Sequence, residues 1–301
     1  MRINAGEIAM RRTTIGIGLA AFLTGMNLSA HADEPAGVVA AYDLTYSEPG
    51  GVPLKLDLVR PAEGEGPFPV VVVIHGGGWR GGDKAGNRPL LAEFARRGYV
   101  AVSPQYRFCP KDVFPAQVHD VKAAVRWLGE HAGEYKIDGE RIGAMGFSAG
   151  GHLALLLGLT GPEDGLDGPP GAAATPRVRA VVNYFGPTDL AAIDIPAASR
   201  PLVKDLLGVA AEEKPAAAAS ASPLSYVSRG DAALLTFQGT LDPLVPGTQA
   251  TKLLEKMTWA GLPGRVELLA GAKHGWQGAE LARTMAGTYA FFDEYLKPKT
   301  P

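Results

Sequence analysis

The sequence has 301 residues with 39 Gly and 24 Pro, is 46% apolar and 20% charged, and carries a formal charge of -2. That balance belongs to a globular chain with a real core and excludes collagen, coiled coil and disorder, and the body of the chain has no Lys/Arg run to neutralise a nucleic-acid backbone. Cys109 is the only cysteine and no two of the six histidines share the i, i+4 spacing of a helical metal grip, so no disulfide, metal or cofactor is expected.

Arg11 and Arg12 precede the apolar stretch Ile15 to Leu28, and Ala30-His31-Ala32 sets small residues three and one before a cut at Asp33. This is the layout of an export signal over residues 1–32, by a twin-arginine or general secretory route, to the periplasm or outside the cell. The apolar stretch is too short for the roughly 30 Å of a bilayer core, so no stable membrane insertion is expected after cleavage. Its removal takes away three basic residues and one acidic one, moving the formal charge from -2 to -4.

Along the remaining 33–301, read as a single domain, Tyr42 to Tyr46 and Leu54 to Val59 alternate across Pro49-Gly50-Gly51 as a half-buried hairpin. Pro69 to Ile74 is a β-branched run suited to a strand covered on both faces, and it enters the Gly-rich stretch His75 to Gly82. A helix over Arg88 to Arg97, a strand over Tyr99 to Ser103 and a helix over Pro115 to His131 follow; then a strand over Arg141 to Phe147 and a helix over Ala149 to Leu159 repeat the alternation. Three more buried strands, Val178 to Tyr184, Leu234 to Phe237 and Val266 to Leu269, and helices over Thr248 to Ala260 and Glu280 to Leu296 complete it. Such alternation implies an α/β fold with a mostly parallel sheet and helices on both faces. Two segments interrupt it: Thr160 to Pro176, read as a mobile surface loop, and the helical insert 191–227 ahead of the strand Leu234 to Phe237, expected to form part of a cap or wall over a site, with a loosely held, Ala-rich stretch at Ala210 to Ser222.

Gly146-Phe147-Ser148-Ala149-Gly150 lies between a strand and a helix, the context of a nucleophile elbow. A Cβ at 146 or 150 would collide with the neighbouring strand or helix as the Ser148 hydroxyl is thrust outward, and the helix N-terminus behind it favours developing negative charge. As a bare pattern it would read as a tight turn with Ser as an N-cap. The second motif, His75-Gly76-Gly77-Gly78-Trp79, follows another strand, and its glycines let backbone N–H groups face a cavity unobstructed, as an oxyanion hole requires.

Together these motifs resemble the α/β-hydrolase superfamily, and within it the His-Gly-Gly-Gly-Trp esterases and lipases similar to hormone-sensitive lipase and to bacterial feruloyl and acetylxylan esterases. The resemblance spans nearly the whole of 33–301. It implies Gly77, Gly78 and Ala149 as oxyanion donors and a chain order of Ser, acid, His. Of the histidines after Ser148, His152 sits on the elbow helix and is expected to pack beneath the nucleophile; His274, in the loop after the strand Val266 to Leu269, is the expected base. Asp242 in Gly239-Thr-Leu-Asp-Pro matches the family's acid loop, with Asp189 in Gly186-Pro-Thr-Asp the competitor, read as a helix cap. His119-Asp120 is read as a polar pair satisfied elsewhere, since adjacent residues on a helix diverge. Trp79, Tyr106, Tyr184 and Trp276 flank the motif loops and are candidates to line a substrate pocket.

The expected function is an exported serine carboxylic-ester hydrolase acting without a cofactor on short-acyl or feruloyl esters of carbohydrates or on small-molecule esters. An aryl-formamidase, a peptidase of the same fold and a catalytically silent binding protein are the alternatives.

Overall fold

A computed structural model describes residues 36–298. The expected export segment 1–32 lies outside the described residues. The strands β1 (Val38–Ser47), β2 (Leu54–Pro61), β3 (Phe68–Ile74), β4 (Val100–Pro104), β5 (Ile137–Phe147), β6 (Val178–Tyr184), β7 (Ala233–Gly239) and β8 (Gly264–Leu269) form one sheet in the order β1-β2-β4-β3-β5-β6-β7-β8. β1 and β2 make the expected antiparallel hairpin, β2 is antiparallel to β4, and every pairing from β4 to β8 is parallel.

The helices are α1 (Arg88–Arg96), α2 (Ala116–Glu130), α3 (Ala132–Tyr135), α4 (Ala149–Leu159), α5 (Arg200–Leu207), α6 (Pro215–Ser220), α7 (Gly247–Ala260) and α8 (Gly278–Leu296). The period-two geometry of a strand sends Val70, Val72 and Ile74 of β3 into one core with α2, α4 and α7, and Val71 and Val73 into a second with α1 and α8. All five side chains are fully buried. Each contributes roughly 1.5–3 kcal/mol relative to exposure, which is why an unbroken β-branched run, rather than an alternating one, marks a central strand. Among the described residues no helix is long and apolar enough to cross a membrane.

Three expectations need correction. β8 was expected to be buried, but it is the last strand of the sheet, pairs only with β7, and leaves Leu268 48% exposed. The connection Thr160 to Pro176, expected to be mobile, is tied down: buried Lys122 reaches the Asp167 carboxylate at 2.8 Å, Arg126 bonds Thr175, and Leu166 enters the core. The Ala-rich part of the insert is anchored as well, with Ala218, Ala221 and Ser222 buried and the Ser222 hydroxyl accepting the Leu190 N–H. Small side chains there permit close approach to α4 rather than loose attachment.

Candidate active site

β5 ends in the elbow, where Ser148 has φ 54° and ψ -119°. That backbone is strained for a residue with a Cβ, and its neighbours show why glycine flanks it. A Cβ on Gly146 would overlap the Gly150 carbonyl, and one on Gly150 would overlap the Ile74 carbonyl at the end of β3. The Ser148 N–H donates to the Tyr184 carbonyl at 2.9 Å, fixing the elbow to β6.

Three loops at the carboxyl ends of the parallel strands converge on this serine. His274, in the loop after β8, places Nε2 2.9 Å from Ser148 Oγ and Nδ1 2.7 Å from Asp242 Oδ2. Asp242, after β7, has a fully buried carboxylate. Its Oδ1 accepts the N–H groups of Leu244 and Val245, and its Oδ2 also accepts Nε2 of Gln238 at 3.0 Å. A buried carboxylate so fully hydrogen-bonded is held in one orientation. Phe185 packs on the other side of the imidazole, ring centroids 4.7 Å apart. Gln238 escaped the sequence reading; its one signal is a polar residue near the end of an otherwise apolar strand, four residues before the acid.

Asp189 is elsewhere, paired with Lys252 at 3.1 Å and accepting the Ala191 N–H. It caps no helix: a turn at 190–191 follows it. Asp120 holds Arg107 through both carboxylate oxygens, so its partner is not its neighbour His119.

The loop after β3 brings Gly77 and Gly78, with φ 122° and 61°, beside the elbow. Among the described residues, the N–H groups of Gly77, Gly78 and Ala149 have no protein acceptor. Trp79, at φ 58°, donates its indole N–H to Nδ1 of His152 at 3.3 Å. Indole only donates, so His152 carries its proton on Nε2, which reaches the Ala221 carbonyl at 2.7 Å. His152 is fully buried, and that burial pulls its pKa down from 6.5 to about 4, leaving it neutral. Burial likewise lowers the pKa of His75, whose Nδ1 donates to the Gly76 carbonyl.

A narrow cavity of about 40 Å³ opens beside Ser148, Ala149 and Gly78. Trp79, Leu190, Ile195, Leu202, Val203 and Val245 are among its walls. Of the four aromatic candidates only Trp79 lines it. Tyr106 is buried with its hydroxyl on the His75 carbonyl, Tyr184 is buried with its hydroxyl on Thr288, and Trp276 packs against Phe185 and bonds Thr284. The insert contributes a wall, as expected, through Ile195, Pro196, Ser199, Leu202 and Val203.

A family model described as BD-FAE matches residues 56–257, a stretch that holds the elbow, the glycine loop and Asp242. The chain belongs to the BD-FAE family. At 33% identity over 223 residues, this BD-FAE chain is similar to the "Probable carboxylic ester hydrolase LipM" of Mycobacterium tuberculosis, over 71% of its own length and 51% of that protein. It thus spans about half the length of the curated relatives it matches. Among solved structures, it is similar to the propionate-bound esterase Est2 of Thermogutta terrifontis, with 27% identity, TM-score 0.72, and coverage of 88% of this chain and 97% of that one. A bifunctional GH43-CE protein of Bacteroides eggerthii matches with 29% identity and TM-score 0.70, over 84% of this chain and 38% of that chain. The α/β-hydrolase fold of the BD-FAE chain is thereby shared with esterases.

Proposed function

We propose that this protein is an exported carboxylic ester hydrolase that forms an acyl-enzyme on Ser148. The observation that carries the reading is the unbroken relay from Ser148 Oγ through His274 to Asp242, at 2.9 and 2.7 Å. In this mechanism neutral His274 takes the hydroxyl proton at Nε2 while its Nδ1–H donates to Asp242, and Ser148 attacks the acyl carbon. The N–H groups of Gly77, Gly78 and Ala149 then stabilise the tetrahedral oxyanion, each such donor typically contributing about 10²–10³ in kcat. Collapse expels the alcohol with the proton from His274, and water repeats the sequence to release the acid.

The substrate is an ester of a short acyl group. The neighbouring Est2 structure is propionate-bound, and a cavity of about 40 Å³ suits an acetyl or propionyl group better than the aromatic feruloyl group the sequence also suggested. For the alcohol we propose a carbohydrate, a reading supported by the export-signal pattern of the sequence over 1–32 and by the GH43-CE neighbour. Hydrolysis of aryl acetate and of acetylated xylan by the purified protein, and its loss in Ser148→Ala, test this. A fluorophosphonate should phosphonylate Ser148 in the wild type, fluoride leaving as the Ser148 oxygen bonds phosphorus, and should leave the variant unlabelled. Turnover of both esters at wild-type rate by folded Ser148→Ala would overturn the mechanism. Detection of a mature N-terminus at Asp33 in the exported fraction tests the location.

A further inference from the structure

We infer that Leu202, on α5 of the insert, sets the upper length of the acyl chain accepted at Ser148, with the ceiling near four carbons. This rests on the ester-hydrolase reading and specifies the side of the ester that reading leaves open.

The cavity is the acyl side of the site. A leaving alcohol must lie against His274 Nε2 to receive its proton, and the oxyanion must face Gly77, Gly78 and Ala149. The remaining substituent of the tetrahedral carbon points away from His274, and the cavity lies there, bounded by Ser148, Ala149 and Gly78 and not by His274. Roughly 10–15 Å³ of such volume holds one water-sized group, so about 40 Å³ takes some three heavy atoms beyond the carbonyl.

Leu202 is a wall of that volume on the side of the glycine loop. It is packed so tightly on the glycine loop that a Cβ on Gly78 would come within 3.1 Å of Leu202 Cδ2 and 3.4 Å of Cδ1. Among the large apolar walls, Leu190, Val203 and Val245 are fixed in the core at 1–6% exposure, whereas Leu202, Ile195 and Leu244 are half-buried. Of these half-buried walls Leu202 is the one packed on Gly78, so its exchange reshapes the cavity beside the glycine loop with little damage to the core.

The segment bearing Leu202 is tied to three other parts of the chain. Arg80, two residues past Gly78, reaches Asp205 Oδ2 at 2.6 Å and the Pro201 carbonyl at 2.7 Å. Ser199 Oγ donates to the Leu244 carbonyl at 2.7 Å, and the Phe114 N–H donates to the Leu206 carbonyl at 2.8 Å. A longer chain therefore meets a side chain on a braced helix, not a loop free to yield.

The test is the chain-length profile of kcat/KM on p-nitrophenyl acetate, butyrate, hexanoate and octanoate. Wild type should fall by about tenfold or more between butyrate and hexanoate, since one or two misfitting methylenes in a closed pocket discriminate by that factor. Leu202→Ala should raise the hexanoate-to-butyrate ratio by about tenfold, and Leu202→Phe should lower the butyrate-to-acetate ratio similarly. Leu202→Met, which conserves volume, should keep the wild-type profile and stands as the folded control. A wild type that hydrolyses octanoate as fast as acetate, or ratios in the Ala and Phe variants within about twofold of wild type, would overturn the inference. If wild type turns over acetate and Ser148→Ala does not, the hydrolase reading stands whatever Leu202 does. A wild type inert on every ester overturns both.

Discussion

Trp79 and His152, 73 residues apart, are joined by an indole N–H donated to an imidazole Nδ1 at 3.3 Å, both groups buried. Because His152 also donates to the Ala221 carbonyl, one neutral ring fastens three pieces of chain: the glycine loop, the elbow helix and the insert. Protonating the ring would set a second donor against the indole, and buried donors facing each other are unfavourable.

The first prediction follows from that. His152 has a folded pKa of about 4 against 6.5 when unfolded. Above pH 6.5 neither state is protonated and the ring adds no pH dependence. As pH falls from 6.5 to 4 the unfolded chain takes up the proton first, so stability declines by about 3 kcal/mol over that window from this group. His152→Gln should flatten the decline by about that amount, measured by urea unfolding at pH 7 and pH 4. His75 shifts in the same direction and acts in both proteins, so the difference reports His152.

The choice of acid is tested by a pair of variants. Asp242→Asn should lower kcat about 10⁴-fold by unsettling the His274 tautomer. Asp189→Asn should stay within about tenfold, since that carboxylate meets Lys252 and a backbone N–H rather than the imidazole. The reverse order in steady-state assays would move the acid to Asp189.

Gly150→Ala should destabilise by about 3 kcal/mol and displace the elbow, because the new methyl meets the Ile74 carbonyl, which is backbone and has nowhere to go. A displacement of that kind should lower kcat about 10²-fold. Gly133→Ala is the contrast: its Cβ meets nothing within 4 Å, so a gain of about 0.5–1 kcal/mol is expected from the lost backbone freedom. Paired urea titrations of the two variants decide it.

Asp57, fully buried on β2, accepts Lys84 Nζ at 2.5 Å, Arg88 Nε at 2.7 Å and the Asp43 N–H at 3.0 Å. Asp57→Ala leaves the buried Lys84 ammonium with only Asp43, at 2.8 Å. A loss of about 3–5 kcal/mol is expected in chemical denaturation. Ester turnover by the molecules still folded should be unaffected, because none of these groups reaches the site.

What the sequence made legible was local. The β-branched run into His75, the glycine pattern around Ser148 and the single histidine in the last strand loop each need a particular residue type at a particular place, so pattern and geometry coincide. The rest depends on contacts between distant segments. Tyr106 and Tyr184 stand beside the motif loops in sequence, yet strand and loop direction turn both rings into the core. Leu202 looks like any apolar residue on a short amphipathic helix, and nothing local says that Arg80 and Ser199 seat that helix over the serine. The Ala-rich stretch invited a reading of looseness, because small side chains bury little area; here they allow a close fit to His152 and α4.

The position of β8 divides the wear on this molecule unevenly. The proposed base follows a strand with one neighbour, while the nucleophile follows a strand in the middle of the sheet. β8 is fastened to α8 by half-buried Glu267, which meets Arg265 on its own strand and Arg283 on the helix at 2.9 and 2.8 Å, both arginines exposed. Such pairs contribute about 0–1 kcal/mol each and fade with ionic strength. Heat or salt should therefore unseat His274 before the sheet melts, and the protein should fall silent while its circular dichroism is still that of the native fold.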